Sequence, residues 1–72
     1  MVMPVLTERQ AEVLRLFAKL RSRKEVGRAL GISDGVVKQH LEASRLRIAA
    51  SSGREVLDSY QAAEIAHELG LL

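Results

Sequence analysis

Residues 38–42 concentrate the side chains of this chain that are best suited to hydrogen-bonded recognition. Lys38 carries an ammonium donor, Gln39 an amide that donates and accepts, and Glu42 a carboxylate that accepts. At 100° per residue these positions lie on one side of a helix, away from the stripe that contains Val37 and Leu41. The pattern predicts a helix that packs with one side and recognises a polar surface with the other.

Catalytic chemistry has little support in the sequence. The chain contains no nucleophile–base arrangement, no glycine-rich phosphate loop and no cysteine, and its two histidines, His40 and His67, are isolated. We interpret both histidines as structural or surface residues. We therefore expect no enzymatic activity, no metal or other cofactor and no small-molecule ligand.

Charge is distributed unevenly along the 72 residues, whose length suits one small domain, residues 1–72. Residues 1–54 hold all 11 Lys and Arg residues and five of the nine acids, whereas residues 55–72 hold four acids and no base. A basic body favours a polyanionic partner, with ordinary solvated charge as the alternative.

Signals for a membrane or for export are absent from the sequence. No apolar run approaches the roughly 20 residues of a membrane span. Residues 1–10 lack the basic-then-apolar order of a secretory signal. We expect a cytoplasmic protein with no membrane partner.

Capping residues predict four helices. Residues 7–10 and 22–25 both fit the capping box, in which a Ser or Thr and a Glu or Gln three residues later satisfy each other's backbone N–H groups. Asp58 and Gln61 take the same positions before the last helix. No segment alternates as a strand does. We predict an all-α fold with no sheet and with helices at about residues 7–20, 23–30, 34–49 and 58–69.

Apolar residues at helical spacing predict the packed side of each helix. Residues 51–57 are interpreted as the connection before the last helix, with a helical turn of their own as the alternative. In chain order, the predicted stripes consist of Val13, Leu14, Phe17 and Leu20; Val26, Ala29 and Leu30; Val37, Leu41, Ser44 and Ile48; and Ala62, Ile65, Ala66 and Leu69.

Gly31 and Ser33 mark a tight joint between the second and third helices. Glycine takes a left-handed C-terminal position without strain, and serine is a favoured N-cap, so only residues 31–33 separate the two helices. Two short helices joined by such a turn form the helix-turn-helix arrangement. The second helix of that arrangement lies in the DNA major groove and presents its N-terminal residues to base edges.

Several short motifs resemble one family of such domains. They are LTERQAEVL at residues 6–14, SRKEV at 22–26, GIS at 31–33, VKQH at 37–40 and LGLL at 69–72. In this order they resemble the LuxR/GerE-type DNA-binding domain over about residues 6–48 and 58–72. The resemblance implies a four-helix helix-turn-helix domain and sequence-specific DNA binding for transcriptional regulation. The chain is similar to the stand-alone members of this family. The resemblance also implies a bacterial or phage-encoded protein.

The resemblance also implies roles for individual positions. Base-edge contacts would fall on Lys38, Gln39 and Glu42. Glu42 has an alternative role, an ion pair with Lys38 or Arg45 on the helix surface. Phosphate contacts fix the register of a protein on DNA without reading sequence, and here they would fall on Arg9, Arg23, Lys24, Arg45 and Arg47.

A second stripe on the fourth helix indicates a second neighbour for it. The stripe is separate from the one that contains Ile65 and consists of Val56, Tyr60, Ala63 and His67. The family commonly pairs its subunits through this helix. We therefore expect a homodimer that binds a pseudo-palindromic site on double-stranded DNA.

The chain departs from the family pattern at four places. Val36 stands where Thr is usual, Ser44 where a core aliphatic is usual, and Leu46 lies opposite the packed stripe. The connection at residues 49–57 is longer than the family pattern.

The main alternative function is a small helical adaptor or anti-activator that binds another regulator or RNA polymerase. A third possibility is a promoter-recognition module like the last domain of a sigma factor, which binds DNA as a monomer.

Overall fold

The computed structural model describes residues 5–72, which form four helices. No strand occurs in these residues, and the all-α prediction is confirmed. None of the four helices is long and apolar enough to cross a membrane. In chain order they are α1 (Glu8–Leu20), α2 (Arg23–Leu30), α3 (Asp34–Ser52) and α4 (Ser59–Glu68).

The predicted caps account for the helix starts, with two differences in detail. At α1 the capping box is complete, because Thr7 and Gln10 exchange two hydrogen bonds of 3.0 and 3.1 Å. At α2 only half of it forms: the Ser22 hydroxyl accepts from the Glu25 N–H at 3.3 Å, while the Glu25 carboxylate pairs with Arg28 at 3.4 Å.

The start of α4 shows the second difference. The Asp58 carboxylate accepts from the Gln61 N–H at 2.8 Å, as predicted. The Gln61 side chain does not return to the N-cap but accepts from the Leu57 N–H at 2.8 Å. This bond orders the last residue of the connection before α4.

Helix α3 is three residues longer than predicted, and the interpretation of residues 51–52 as part of the connection was wrong. Ser51 and Ser52 continue the helix, and Gly53 ends it with φ +67°. The Gly53 N–H donates to the Ala49 carbonyl at 3.1 Å. The connection to α4 therefore starts at Gly53, because glycine takes the left-handed conformation without strain.

The buried side chains confirm most of the predicted stripes and correct three members. Leu20, Ala29 and Leu69 are exposed rather than packed. In α2 the buried position next to Val26 is taken by Gly27. Beyond α4, partly buried Leu71 and Leu72 pack against the core in place of Leu69. The fully or nearly buried apolar residues are Leu6, Val13, Leu14, Phe17, Val26, Val37, Leu41, Ile48, Val56, Ala62, Ala63, Ile65 and Ala66.

Ser44 is a fully buried polar residue in the middle of α3. Its hydroxyl donates to the His40 carbonyl one turn earlier at 2.7 Å, so its polar group is satisfied. The departure from the usual aliphatic residue therefore leaves no unpaired hydroxyl in the core.

The turn between α2 and α3 depends on a close backbone approach at Gly27. The Gly31 N–H and the Ile32 N–H both donate to the Gly27 carbonyl, the second at 2.9 Å. Gly31 adopts the left-handed conformation, with φ +69°. A Cβ atom on Gly27 would lie 2.6 Å from the Ile32 carbonyl oxygen. The absence of a side chain at Gly27 thus allows the turn to fold back onto α2.

We expect Ser33→Ala to lower the free energy of unfolding by about 1 kcal/mol. The Ser33 hydroxyl accepts from the Val36 N–H at 3.2 Å, and alanine leaves this N–H without its cap. Urea denaturation followed by circular dichroism measures the change. Ser51→Ala, an exposed serine in the last turn of the same helix, is the matched control and is expected to change stability by a few tenths of a kcal/mol at most. Equal losses in both variants would contradict the capping role.

Candidate nucleic-acid interface

The N-terminal half of α3 divides into a packed side and a polar side, as predicted. Val37 and Leu41 are buried, whereas Lys38, Gln39 and Glu42 are all exposed. The Ser33 cap and the core contacts of α3 fix the rotation of the helix about its axis. The three polar side chains are therefore held together on the outer surface.

The start of α2 adds two positive charges beside this surface. Arg23 and Lys24 are exposed in the first turn of α2, and the Arg23 guanidinium lies 3.5 Å from the Asp34 carboxylate at the start of α3. The beginnings of the two helices are therefore adjacent. Backbone N–H groups of a helix N-terminus add to the attraction that such cations exert on phosphate.

Arg9 and Arg47 are both exposed, and each guanidinium makes one contact within the chain. Arg9 pairs with Glu12 at 2.7 Å, one turn along α1. Arg47 donates to the Val5 carbonyl at 3.3 Å. Neither contact buries the guanidinium, so both cations remain predicted phosphate contacts.

Arg45 differs from the other four predicted phosphate contacts, because protein groups occupy its guanidinium from two directions. One nitrogen donates to the Val56 carbonyl at 2.8 Å, and two others face the Glu42 carboxylate. Only 23% of its side chain is exposed. The ion pair that the sequence left open for Glu42 is thus present, with Arg45 as its partner.

The ion pair sets the charge state of Glu42. The hydrogen bond from Arg45 lowers the pKa of the Glu42 carboxyl below its ordinary value, and attraction by Arg45 and Lys38 adds to this. The same hydrogen bond raises the pKa of Arg45. Both groups are therefore ionised at neutral pH, and the ion pair is lost when the pH falls through the lowered pKa of Glu42 and its carboxylate is protonated.

A surface cleft brings these charges together with the segment that precedes α4. Its volume is about 220 Å³, and four of its lining residues are Arg23, Lys38, Glu42 and Arg45. Leu57, Asp58 and Ser59 also line it. Sequence spacing alone did not predict that α3 and the start of α4 would line one cleft.

The predicted dimer stripe on α4 is only half available to a second subunit. Val56 and Ala63 retain 3% and 6% exposure because they pack into the chain's own core. Tyr60 and His67 are exposed. Placing Val56 and Ala63 on a dimer surface therefore needs correction, since their side chains offer a partner almost no area.

Tyr60 is held against α1. Its ring lies 4.7 Å from the Phe17 ring between centroids and tilted by 46°, and the Arg21 guanidinium carbon lies 4.7 Å from its centroid. Such aromatic and cation–π contacts fix the position of the ring. A groove of about 370 Å³ between α1 and α4 is lined by Tyr60, His67 and neighbouring residues.

Within residues 5–72 no group of three His, Cys, Asp or Glu side chains is placed to hold a metal ion. The polar groups on the outer side of α3 and at the start of α2 are hydrogen-bond donors, hydrogen-bond acceptors and charges. A tight turn followed by a helix with a polar outer side defines a helix-turn-helix domain.

Comparison with known proteins gives the same class. The GerE family model, described as "Bacterial regulatory proteins, luxR family", matches residues 4–60, and the chain belongs to this family of DNA-binding transcription regulators. The match ends at residue 60 and does not include most of α4.

One curated relative is the Escherichia coli (strain K12) protein named "Putative HTH-type transcriptional regulator YhjB". It is 51% identical over 43 residues, which cover 60% of this chain and 22% of the relative. The chain thus aligns with about a fifth of the length of that protein. No solved structure shows a significant match.

Proposed function

We propose that this chain regulates transcription by inserting the N-terminal half of α3 into the major groove of DNA. The observation that carries the proposal is the exposed set Lys38, Gln39 and Glu42 on the helix that follows the turn. Lys38 suits guanine O6 or N7, Gln39 suits adenine N6 and N7, and Glu42 accepts from cytosine N4. These three contacts would read sequence directly.

Phosphate contacts on either side of the groove would hold this helix in register. Arg23 and Lys24 lie beside the start of α3 and combine their charge with the N-terminus of α2. Arg9 and Arg47 supply further positive charge. Contacts of this kind strengthen binding to every sequence and make it sensitive to salt.

The proposed active species is a homodimer that binds a pseudo-palindromic site on double-stranded DNA in the bacterial cytoplasm. Exposed Tyr60, fixed on Phe17, and exposed His67 supply the part of the α4 surface that a second subunit can contact. A twofold dimer would place its two recognition helices about one DNA turn apart.

A second candidate function rests on one observation. Leu46, in the middle of the outer side of α3, is 56% exposed. An apolar side chain at this position favours contact with a protein, as in a small adaptor that binds another regulator or RNA polymerase. Such an adaptor would bind DNA weakly and without sequence preference.

Selection of bound fragments from sheared bacterial genomic DNA tests the two functions against each other. We expect enrichment of a short inverted motif by the purified chain, and loss of that enrichment with Lys38→Ala or Gln39→Ala. Arg54→Ala is the matched control, because it removes one positive charge beyond the C-terminal end of α3, where Arg54 pairs with Glu68 at 2.9 Å. Failure of the wild-type chain to enrich any motif would overturn the proposed function and favour the adaptor.

A further inference from the structure

We propose that Arg45 acts as a positioning residue that holds the Glu42 carboxylate in place to read a base, instead of contacting phosphate. The inference rests on the proposed function, because it concerns how the same helix discriminates DNA sequences. It assigns one guanidinium two simultaneous contacts within the chain. These contacts use three of the five guanidinium N–H groups, and only 23% of the Arg45 side chain is exposed, so little of it faces outward for a phosphate.

The contacts of Arg45 fix its side chain at both ends of the guanidinium. Nη1 donates to the Val56 carbonyl at 2.8 Å, Nε lies 3.4 Å from Oε2 of Glu42, and Nη2 donates to Oε1. Val56 is itself 3% exposed in the core. The carboxylate is thus connected through Arg45 to a backbone group that cannot move independently of the fold.

Other arginine–glutamate pairs in the chain have the same three-residue spacing but are more exposed. The arginine side chain is 43% exposed in the Arg9–Glu12 pair and 71% exposed in the Arg28–Glu25 pair, against 23% for Arg45. Exposed pairs of this type hold their geometry weakly. The half-buried guanidinium distinguishes the Glu42 pair from an ordinary pair on the helix surface.

The Glu42 carboxylate keeps acceptor capacity for a ligand after Arg45 has bound it. Its side chain is 55% exposed, and an ionised carboxylate has about four lone-pair sites, of which the two hydrogen bonds from Arg45 use half. The guanidinium also offsets the negative charge that DNA phosphates would repel. A fixed, partly neutralised acceptor on the outer side of α3 suits a cytosine amino group in the major groove.

Arg45→Lys separates this role from phosphate binding. Lysine keeps the charge, but one ammonium cannot reproduce the planar set of contacts to both carboxylate oxygens and the Val56 carbonyl. On the selected DNA motif and its single-base variants, we expect the preference at one base pair to fall about tenfold. The slope of log affinity against log salt is expected to stay unchanged, because no phosphate contact is lost.

Variants at Glu42 and a second variant at Arg45 complete the experiment. Glu42→Ala should remove the preference at the same base pair, and Arg45→Lys should cause no further loss in that background. Arg45→Gln is made in parallel, and circular dichroism establishes which variants are folded. A folded variant at Arg45 that keeps the full preference would overturn the positioning role.

Two other outcomes would contradict the role of Arg45 and the proposed function separately. A uniform loss over all DNA sequences with Arg45→Gln, together with a salt slope lower by about 1, would make Arg45 a phosphate contact and overturn the inference. Absence of any sequence preference in the wild-type chain would overturn the proposed function itself. The two failures are distinguishable because the second is seen before any substitution is made.

Discussion

Replacing Gly27 by alanine is expected to lower the free energy of unfolding by about 1–3 kcal/mol. A Cβ atom at this position would lie 2.6 Å from the Ile32 carbonyl oxygen and 3.5 Å from the Val37 side chain. The Ile32 carbonyl belongs to the turn, whose N–H groups donate to the Gly27 carbonyl. The alanine methyl group must therefore push the turn away from α2 and displace the start of α3.

Gly35→Ala is the matched control for this prediction. Gly35 lies in the first turn of α3, where an added Cβ atom would have only the Ser33 hydroxyl nearby, at 3.9 Å. Because alanine is the better helix former, we expect unchanged stability or a gain of up to about 1 kcal/mol. Urea denaturation of both variants measures the difference. Similar stabilities would contradict the close approach of the turn to α2.

Replacing Gln39 by alanine is expected to reduce discrimination between the selected DNA motif and a variant at one base pair by about 1–3 kcal/mol. Gln39 is exposed in the first half of α3 and, among the predicted base contacts, its amide suits adenine. Alanine removes two hydrogen-bonding groups and leaves the base edge without a partner. Binding to unrelated DNA should change little, because no charge is lost.

Lys24→Ala gives the opposite pattern and serves as the comparison for Gln39→Ala. Lys24 is exposed in the first turn of α2, near Asp34 at the start of α3. Its loss should weaken binding to all sequences by a similar factor and lower the salt slope by about 1. Fluorescence anisotropy at about 50 and 200 mM salt measures both effects. Identical behaviour of the two variants would contradict the division into base-reading and phosphate-binding residues.

Local features of the fold could be predicted from the sequence because their signals lie within a few residues. The capping box at Thr7 and Gln10 is complete, and the stop at Gly31 and the cap at Ser33 are both present. The packed side of α3 was predicted in full, including buried Ser44. Helical periodicity and capping chemistry determine these features without knowledge of distant contacts.

Features that depend on contacts between distant residues could not be predicted in this way. Val56 and Ala63 share a periodic stripe with Tyr60, but the stripe alone does not say whether the chain's own core or a second subunit covers them. The bond from Arg45 to the Val56 carbonyl spans 11 residues and depends on the path of the connection before α4. Gly27 likewise has no sequence signal for its close approach, apart from being a glycine in the middle of a short helix.

The contacts of Arg45 change the role that its residue type predicts. An arginine on the surface of a DNA-binding domain suits a phosphate contact, and the family resemblance implied this role for Arg45. The structure commits the same guanidinium to Glu42 and to the Val56 carbonyl. Its predicted contribution therefore shifts from affinity for any DNA to discrimination at one base pair.

The most direct test of the central claim is to map the DNA-binding surface by NMR. Titration of the ¹⁵N-labelled chain with the selected DNA motif should produce its largest amide shift changes at residues 36–42 of α3 and at Arg23 and Lys24. Changes along α4 that depend on protein concentration would report dimer formation separately. Shift changes confined to the groove between α1 and α4, or none with any DNA, would contradict recognition of DNA by α3.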